Sequence, residues 1–282
     1  MSEQILGKLN RMEHLLPEGL LVDAAWLSAQ DYSTSLRAKY VTSGWLEQPA
    51  RSVYRRPRGH LSWQQVVISL QTLLGRRLVV GGRTALELQG YAHYLSQASS
   101  EIHIHGPAKP PGWLSTLPIK ERFVFHNSAP LFGNDLDHVN FPSLVPDDVP
   151  PAKDAASLQD AGLRSLPWGQ WDWPLVVSTP ERAILELLDQ LPDRESFHQA
   201  DMLMEGLSNL APRRLQVLLG RCQSVKVKRL FFFFADRHDH AWLKHLDRSK
   251  IGLGSGKRML VKGGRLDLTY RITVPKDLNE VR

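Results

Sequence analysis

Several things are scarce in this chain, and each scarcity narrows what it does. Among 282 residues there is one cysteine, Cys222, which excludes an intrachain disulfide or a multi-cysteine zinc site and fits a reducing, cytoplasmic setting. The longest strictly apolar run, Leu230 to Ala235, is far shorter than the roughly 20 residues a membrane span needs. Met1-Ser2-Glu3-Gln4 has neither the basic nor the apolar region of a secretion signal. Catalytic signatures are missing as well. There is no Gly-x-Ser-x-Gly elbow, no His-Glu-x-x-His, and no strand carrying Glu-x-Lys after an acidic residue. Gly252-Leu253-Gly254-Ser255-Gly256-Lys257 resembles a nucleotide phosphate loop, but Ile251 stands where its first glycine belongs and Arg258 where Ser or Thr is required. In His238-Asp239-His240 the two imidazoles point apart if the segment is helical. No catalytic residue, metal or cofactor is therefore expected, and the chain does not read as an enzyme.

Acid is scarce in one place. Residues 1–60 hold 8 Lys+Arg against 6 Asp+Glu (+2), residues 61–210 hold 10 against 17 (−7), and residues 211–282 hold 17 against 6 (+11). The surplus behind the net charge of +6 sits in the last quarter, where Lys226, Lys228, Arg229, Lys257 and Arg258 are candidate phosphate contacts. With 42% hydrophobic residues the chain can bury a substantial core, and its length suits about two domains.

The stretch with the most to say is Leu20 to Arg58. Asp23 is placed to cap a short helix, and Ser33 to cap a second one running to about Ser43, with only Ala29 to Tyr32 between them. On the second helix Leu36 and Tyr40 share one face; Thr34, Ser35, Ala38 and Thr42 lie opposite, flanked by Arg37 and Lys39. Small polar side chains beside cations suit a helix in a DNA major groove. Gly44 ends the helix. Trp45–Glu47 and Ser52–Tyr54 read as two strands around a turn at Gln48-Pro49-Ala50, and Arg51, Arg55, Arg56 and Arg58 crowd this hairpin. The expectation is a winged helix-turn-helix over residues 1–60, with base readout from Thr34, Ser35, Arg37 and Ala38, phosphate anchoring from the hairpin arginines, and Ser33, Lys39 and Thr42 as further DNA-binding residues. The opening helix, Ser2 to Leu16, would pack behind it through Ile5, Leu9, Met12 and Leu16.

Residues 61–282 read as a larger mixed α/β domain, making the whole chain α+β. A helix from Ser62 to Leu74 leads to a strand, a turn at Gly81-Gly82, and a helix whose start is marked by a Thr84/Glu87 capping box. Glu101–His105 and Arg122–His126 alternate as strands, with His103 and His105 on one side facing solvent. Phe141 to Pro174 is an irregular connection with prolines at 142, 146, 150, 151, 167 and 174, anchored by Trp168, Trp171 and Trp173. Leu175–Ser178 is a strand, Thr179 a helix cap and Pro180 the first helical residue. Val225–Phe234 is expected as a buried strand and Asp236–Leu246 as a helix. Met259–Val261 and Leu266–Ile272 are expected as a closing hairpin around Gly263-Gly264.

The winged helix, the segment Val79-Val80-Gly81-Gly82-Arg83-Thr84-Ala85-Leu86-Glu87-Leu88-Gln89-Gly90-Tyr91-Ala92 and the segment Ser178-Thr179-Pro180-Glu181-Arg182-Ala183-Ile184-Leu185-Glu186-Leu187, in that order, resemble the AbiEi antitoxins of type IV toxin–antitoxin and abortive-infection systems. The resemblance covers nearly the whole chain. It implies a cytoplasmic autorepressor that binds inverted repeats in its own promoter, as monomer or dimer, and a C-terminal domain that counters a cognate AbiEii-like nucleotidyltransferase toxin. It supplies no catalytic residues. Two other readings stay open: a DNA-processing enzyme with a nuclease-like C-terminal domain, and a protein-interaction module.

Overall fold

The computed structural model describes residues 3–91, 100–144 and 152–279. It begins with α1 (Glu3–Leu15), β1 (Leu21–Asp23), α2 (Ala24–Ala29), α3 (Thr34–Thr42), β2 (Glu47–Ala50) and β3 (Val53–Arg55). Asp23 Oδ1 accepts from Trp26 N–H at 2.8 Å and Ser33 Oγ from Leu36 N–H at 3.3 Å, so both expected caps set their helices. The three strands pair antiparallel in the order β1-β3-β2. The hairpin differs from expectation by a register. Its turn is at Arg51-Ser52, with Ser52 at φ +63, and Pro49 and Ala50 belong to β2. Pro49 has no N–H to give and sits on an edge strand, where none is needed.

Then come α4 (Trp63–Thr72), β4 (Val79–Val80), α5 (Gly82–Leu88), β5 (Glu101–Gly106), β6 (Arg122–Asn127), α6 (Ala129–Phe132), α7 (Ala152–Asp160), β7 (Leu163–Trp168) and β8 (Trp173–Ser178). The prolines at 146, 150 and 151, and Ala92 of the glycine motif, lie outside the described residues. Four helices follow, α8 (Pro180–Asp189), α9 (Phe197–Gly206), α10 (Pro212–Arg221) and α11 (Val225–His238), before a small hairpin of β9 (Arg265–Asp267) and β10 (Ile272–Val274). The main sheet has the order β6-β5-β4-β8-β7; β4 runs antiparallel to β5 and parallel to β8, and β5 runs parallel to β6. Helices and mixed sheets together make an α+β fold.

Three apolar cores pack around the sheet. One face, with Val80, Ile102, Ile104, Leu175 and Val177, joins a core that continues through α4 to Leu9, Met12, Leu16, Leu27 and Tyr40. The apolar packing therefore runs unbroken across residue 60, and α4 is the joint. Leu21 N–H donates to Ser69 Oγ at 2.9 Å, while the Gln71 amide donates to the Leu78 and Val176 carbonyls at 2.7 and 2.9 Å. A further tie is Arg58, whose guanidinium lies 4.0 Å from the ring centre of Trp171 at the β7–β8 turn. The second core packs α5 with α8 to α11, and a third joins Val79 and Val176 of the sheet to Leu136, Leu158 and Leu163.

Five expectations are corrected here. Phe141 to Pro174 is not irregular throughout, since it holds α7 and β7, and Pro167 is accepted in β7 because that strand is at the edge of the sheet. Val225–Phe234 is helix, not strand: Ser224 Oγ caps it by accepting from Val227 N–H at 3.3 Å, and Phe231 to Phe234 are buried all round because α11 runs through the middle of the second core. A continuous apolar run marks burial without marking its period. Asp236–Leu246 is not one helix, since α11 ends at His238, Asp239 turns left-handed at φ +43, and a 3₁₀ turn covers Ala241–His245. Helix α5 starts at Gly82, two residues before the expected cap, and Thr84 Oγ1 instead accepts from His103 N–H at 2.9 Å. The closing hairpin is β9–β10 around Leu268–Arg271; Met259–Val261 is not a strand, although Arg258 bridges Ile272.

Candidate nucleic-acid interface

Helix α3 presents the surface that its pattern promised, with one exception. Ser33, Thr34, Ser35, Ala38, Lys39 and Thr42 are exposed, and Tyr40 is buried beneath them. Arg37 is turned inward and 6% exposed, correcting its placement on the flank of the outer face. Its guanidinium donates to the Ala24 carbonyl at 2.7 Å and to Thr34 Oγ1 at 2.8 Å, and lies 5.7 Å from the Tyr54 ring centre. It fastens α3 to α2 and β3. Because Thr34 Oγ1 accepts from Arg37, its own proton is left for an outside acceptor. Thr42 Oγ1 donates to the Ala38 carbonyl at 3.0 Å, which leaves it lone pairs for an outside donor.

The hairpin arginines divide in the same way. Arg51, at the tip, is exposed and makes no hydrogen bond or ion pair among the described residues. Arg55 is 6% exposed and donates to Glu47 and to the Gly59 carbonyl, both at 2.6 Å. Arg56 reaches back to the Glu13 and Leu16 carbonyls at 3.2 Å and to Glu18 at 3.2 Å. Arg58 pairs with Glu18 at 3.0 Å while stacking on Trp171. Four arginines in eight positions looked like one phosphate-binding group; three of them brace the hairpin.

The C-terminal cations separate by the helix that replaced the expected strand. Lys226 donates to the Asp189 and Leu191 carbonyls at 2.6 and 3.1 Å, and Lys228 and Arg229 are 9% and 2% exposed. Lys257 and Arg258 stand exposed on the loop beyond it.

The two internal motifs meet in a buried polar network that sequence reasoning missed. Glu186 Oε2 accepts from Gly82 N–H at 2.9 Å, and Oε1 accepts from Ser178 Oγ at 3.0 Å and Arg182 Nε at 2.8 Å. Arg182, fully buried, also pairs with Asp135, donates to the Ala161 carbonyl at 2.7 Å and lies 4.3 Å from the Phe132 ring centre. Burial opposes its charge, but Glu186 and Asp135 outweigh that and hold its pKa above the ordinary value. Gly81 is the contact point, since a Cβ there would meet Glu186 Oε2 and would lie 2.5 Å from His105 Cδ2. A charged pair at i and i+4 inside an apolar helix was the available signal, for such residues are rarely buried unless partnered.

The strand histidines are buried, not solvent-facing. His103 Nδ1 lies 2.9 Å from His126 Nε2, and the His105 and His126 rings stack at 4.6 Å. Burial, and then His105 and His103, push His126 down to about 3; burial likewise lowers His103, and His105 well below the usual range. All three are neutral at physiological pH. No group of three or more potential metal ligands occurs among the described residues, nor does any helix long and apolar enough to cross a membrane.

Residues 152–275 match the family model described as "Transcriptional regulator, AbiEi antitoxin, Type IV TA system", and residues 6–97 match "Transcriptional regulator, AbiEi antitoxin N-terminal domain". The chain belongs to the AbiEi antitoxin family. Both motifs of the buried network fall inside the matched segments, as do α3 and its hairpin. The fold of this AbiEi member resembles the crystal structure of the RV2827C protein from Mycobacterium tuberculosis, with TM-score 0.51 at 14% identity over 95% of this chain and 89% of that one. No curated protein sequence matches it.

Proposed function

We propose that this AbiEi member is a DNA-binding autorepressor and antitoxin. In this reading residues 1–60 form a winged helix that binds inverted repeats in its own promoter, and residues 61–282 counter a cognate nucleotidyltransferase toxin, in the cytoplasm and without catalysis. The observation that carries the DNA half is the outer face of α3. Five small side chains are exposed, four of them hydroxyls that can donate and accept, with Lys39 beside them and Arg51 at the hairpin tip. Ser and Thr match base edges, Ala a thymine methyl, and the two cations phosphates or guanine. Arg37, Arg55, Arg56 and Arg58 act one step back, holding helix and hairpin in the relative position that reading a groove requires. Membership of a family of transcriptional regulators supports the same conclusion.

The test is fluorescence anisotropy of the full chain on its own upstream region and on a scrambled duplex across a salt series. A specific preference of about a thousandfold or more supports repression. Equal, steeply salt-dependent binding to both duplexes sinks it and brings forward the DNA-processing reading, which cutting of plasmid with Mg²⁺ or Mn²⁺ would support. Co-expression with the nucleotidyltransferase encoded alongside tests the antitoxin half: growth must return when the antitoxin is present.

A further inference from the structure

Arg229 is 2% exposed, yet it forms no ion pair among the described residues. Its Nε donates to the Leu253 carbonyl at 2.7 Å and its Nη1 to the Gly256 carbonyl at 2.8 Å, with a longer contact of 3.4 Å to the Arg271 carbonyl. One buried guanidinium therefore draws two carbonyls of loop 252–258 inward. In a trans peptide the C=O of one residue and the N–H of the next point in opposite directions. The N–H groups of Gly254 and Lys257 are thus turned away from Arg229, and neither has a partner among the described residues.

The loop is anchored. Leu253 packs against the second core, and Gly254 lies against Val225 at the start of α11. Gly254 and Gly256 are left-handed, at φ +63 and +78, and glycines in such turns let a backbone be approached closely by a ligand. Three cations flank this turn. Arg258 N–H donates to the Arg271 carbonyl at 2.9 Å, which sets these two exposed arginines side by side, and Lys257 precedes them. Lys257, Arg258 and Arg271 have no ion-pair partner among the described residues. Burial, then Arg258 and Arg271, lower the pKa of Arg229.

We propose that loop 252–258 is a seat for a phosphate group. The N–H groups of Gly254 and Lys257 meet its oxygens, Lys257, Arg258 and Arg271 neutralise it, and Arg229 is the positioning residue that aims the loop. The seat owes nothing to a helix dipole, because no helix follows the loop, and this separates it from the nucleotide loop that its sequence mimics. It does not depend on the winged-helix reading, since inorganic phosphate alone probes it.

The experiment is a titration of the ¹⁵N-labelled full chain, observing backbone amides. With inorganic phosphate, the Gly254 and Lys257 amides are expected to move downfield and saturate at millimolar concentration. Chloride at equal ionic strength leaves them in place. The triple variant Lys257→Ala, Arg258→Ala, Arg271→Ala is expected to keep its Tm and to lose about tenfold or more in affinity. Arg229→Lys keeps the charge but not the fork that spans two carbonyls, and its phosphate affinity falls with net charge unchanged.

A second arm uses a short random duplex and a chain carrying Lys39→Ala and Arg51→Ala. If the duplex moves the same two amides, the bound phosphate is a DNA backbone diester; if only free phosphate does, it belongs to a soluble phosphate compound. Both outcomes support the seat. It is overturned if the two amides stay still, if chloride moves them equally, or if the triple variant binds phosphate as the native chain does. Native affinity in Arg229→Lys overturns the role of that residue.

Discussion

Replacing Gly81 by Ala adds one methyl group where the two internal motifs touch. The backbone at Gly81, φ −135 and ψ −170, accepts any residue, so strain in the chain is not the issue. The new Cβ would lie against Glu186 Oε2, 3.0 Å from Glu186 Cδ and 2.5 Å from His105 Cδ2. Neither neighbour can retreat: Glu186 is held by Gly82, Ser178 and Arg182, and His105 by the stacked ring of His126. Overpacking of this kind costs ~1–3 kcal/mol. Pushing Glu186 off the Gly82 N–H removes a hydrogen bond to a charged group, for another ~1.5–3 kcal/mol. The expected loss is about 2.5–6 kcal/mol, from the sum of these two effects.

Gly44→Ala is the control. There φ is +76 with nothing within 4 Å of an added Cβ, so only the left-handed backbone resists, at about 1–2 kcal/mol. Urea denaturation followed by tryptophan fluorescence compares the two, because Trp63 and Trp173 are buried in the native state. If Gly81→Ala proved no more destabilising than Gly44→Ala, the contact between the motifs would not be the rigid junction described above.

Other perturbations separate the remaining roles. Ser35→Ala is expected to cost operator binding about 1–3 kcal/mol and to relax preference at one base, whereas Lys39→Ala or Arg51→Ala weakens operator and random DNA alike and lowers the salt slope by about 1; anisotropy across salt distinguishes them, and a purely non-specific effect of Ser35→Ala refutes its role in readout. Arg37→Met should lower Tm as well as DNA affinity, because it removes the buried hydrogen bonds that tie α3 to the Ala24 carbonyl and to Thr34; a loss of affinity at unchanged Tm would return Arg37 to direct contact. Stability should fall on acidification. Unfolded histidines take up protons below about 6.5, the folded His126 only near about 3, so in that window the unfolded chain binds more protons and stability rises with pH. The loss approaches ~1.4 kcal/mol per pH unit for each histidine kept neutral. His126→Phe is expected to flatten a plot of Tm against pH, and an unchanged slope would rule that residue out as a source. A double-mutant cycle on Arg58 and Trp171 should return about 0.5–1 kcal/mol of coupling, as a half-exposed cation–π pair gives; zero coupling would remove the tie between hairpin and β7–β8 turn.

Much of this architecture is local, and local features were legible in the residues. Asp23 and Ser33 cap their helices and Pro180 opens α8, because a cap needs only a side chain and a backbone within a few residues of each other. The alternation of β5 and β6 and the exposed face of α3 were equally readable from period alone. The resemblance carried by the order of the motifs led to the family that the matched segments establish.

What the sequence could not decide was the company each residue keeps. Whether Phe231 to Phe234 form strand or helix depended on being enclosed from every side by α8, α9 and the turns after α11. Whether an arginine is a free cation or a brace depended on residues far off in the chain, Glu18 for Arg58 and the carbonyls of loop 252–258 for Arg229. His103 and His105 became buried neutral groups because β6 and α5 cover them, and Glu186 became the cap of α5 from 104 residues away. Sequence period and capping chemistry are short-range and set the elements. Burial and charge pairing are long-range, and only tertiary structure decides which polar groups are left facing outward to act.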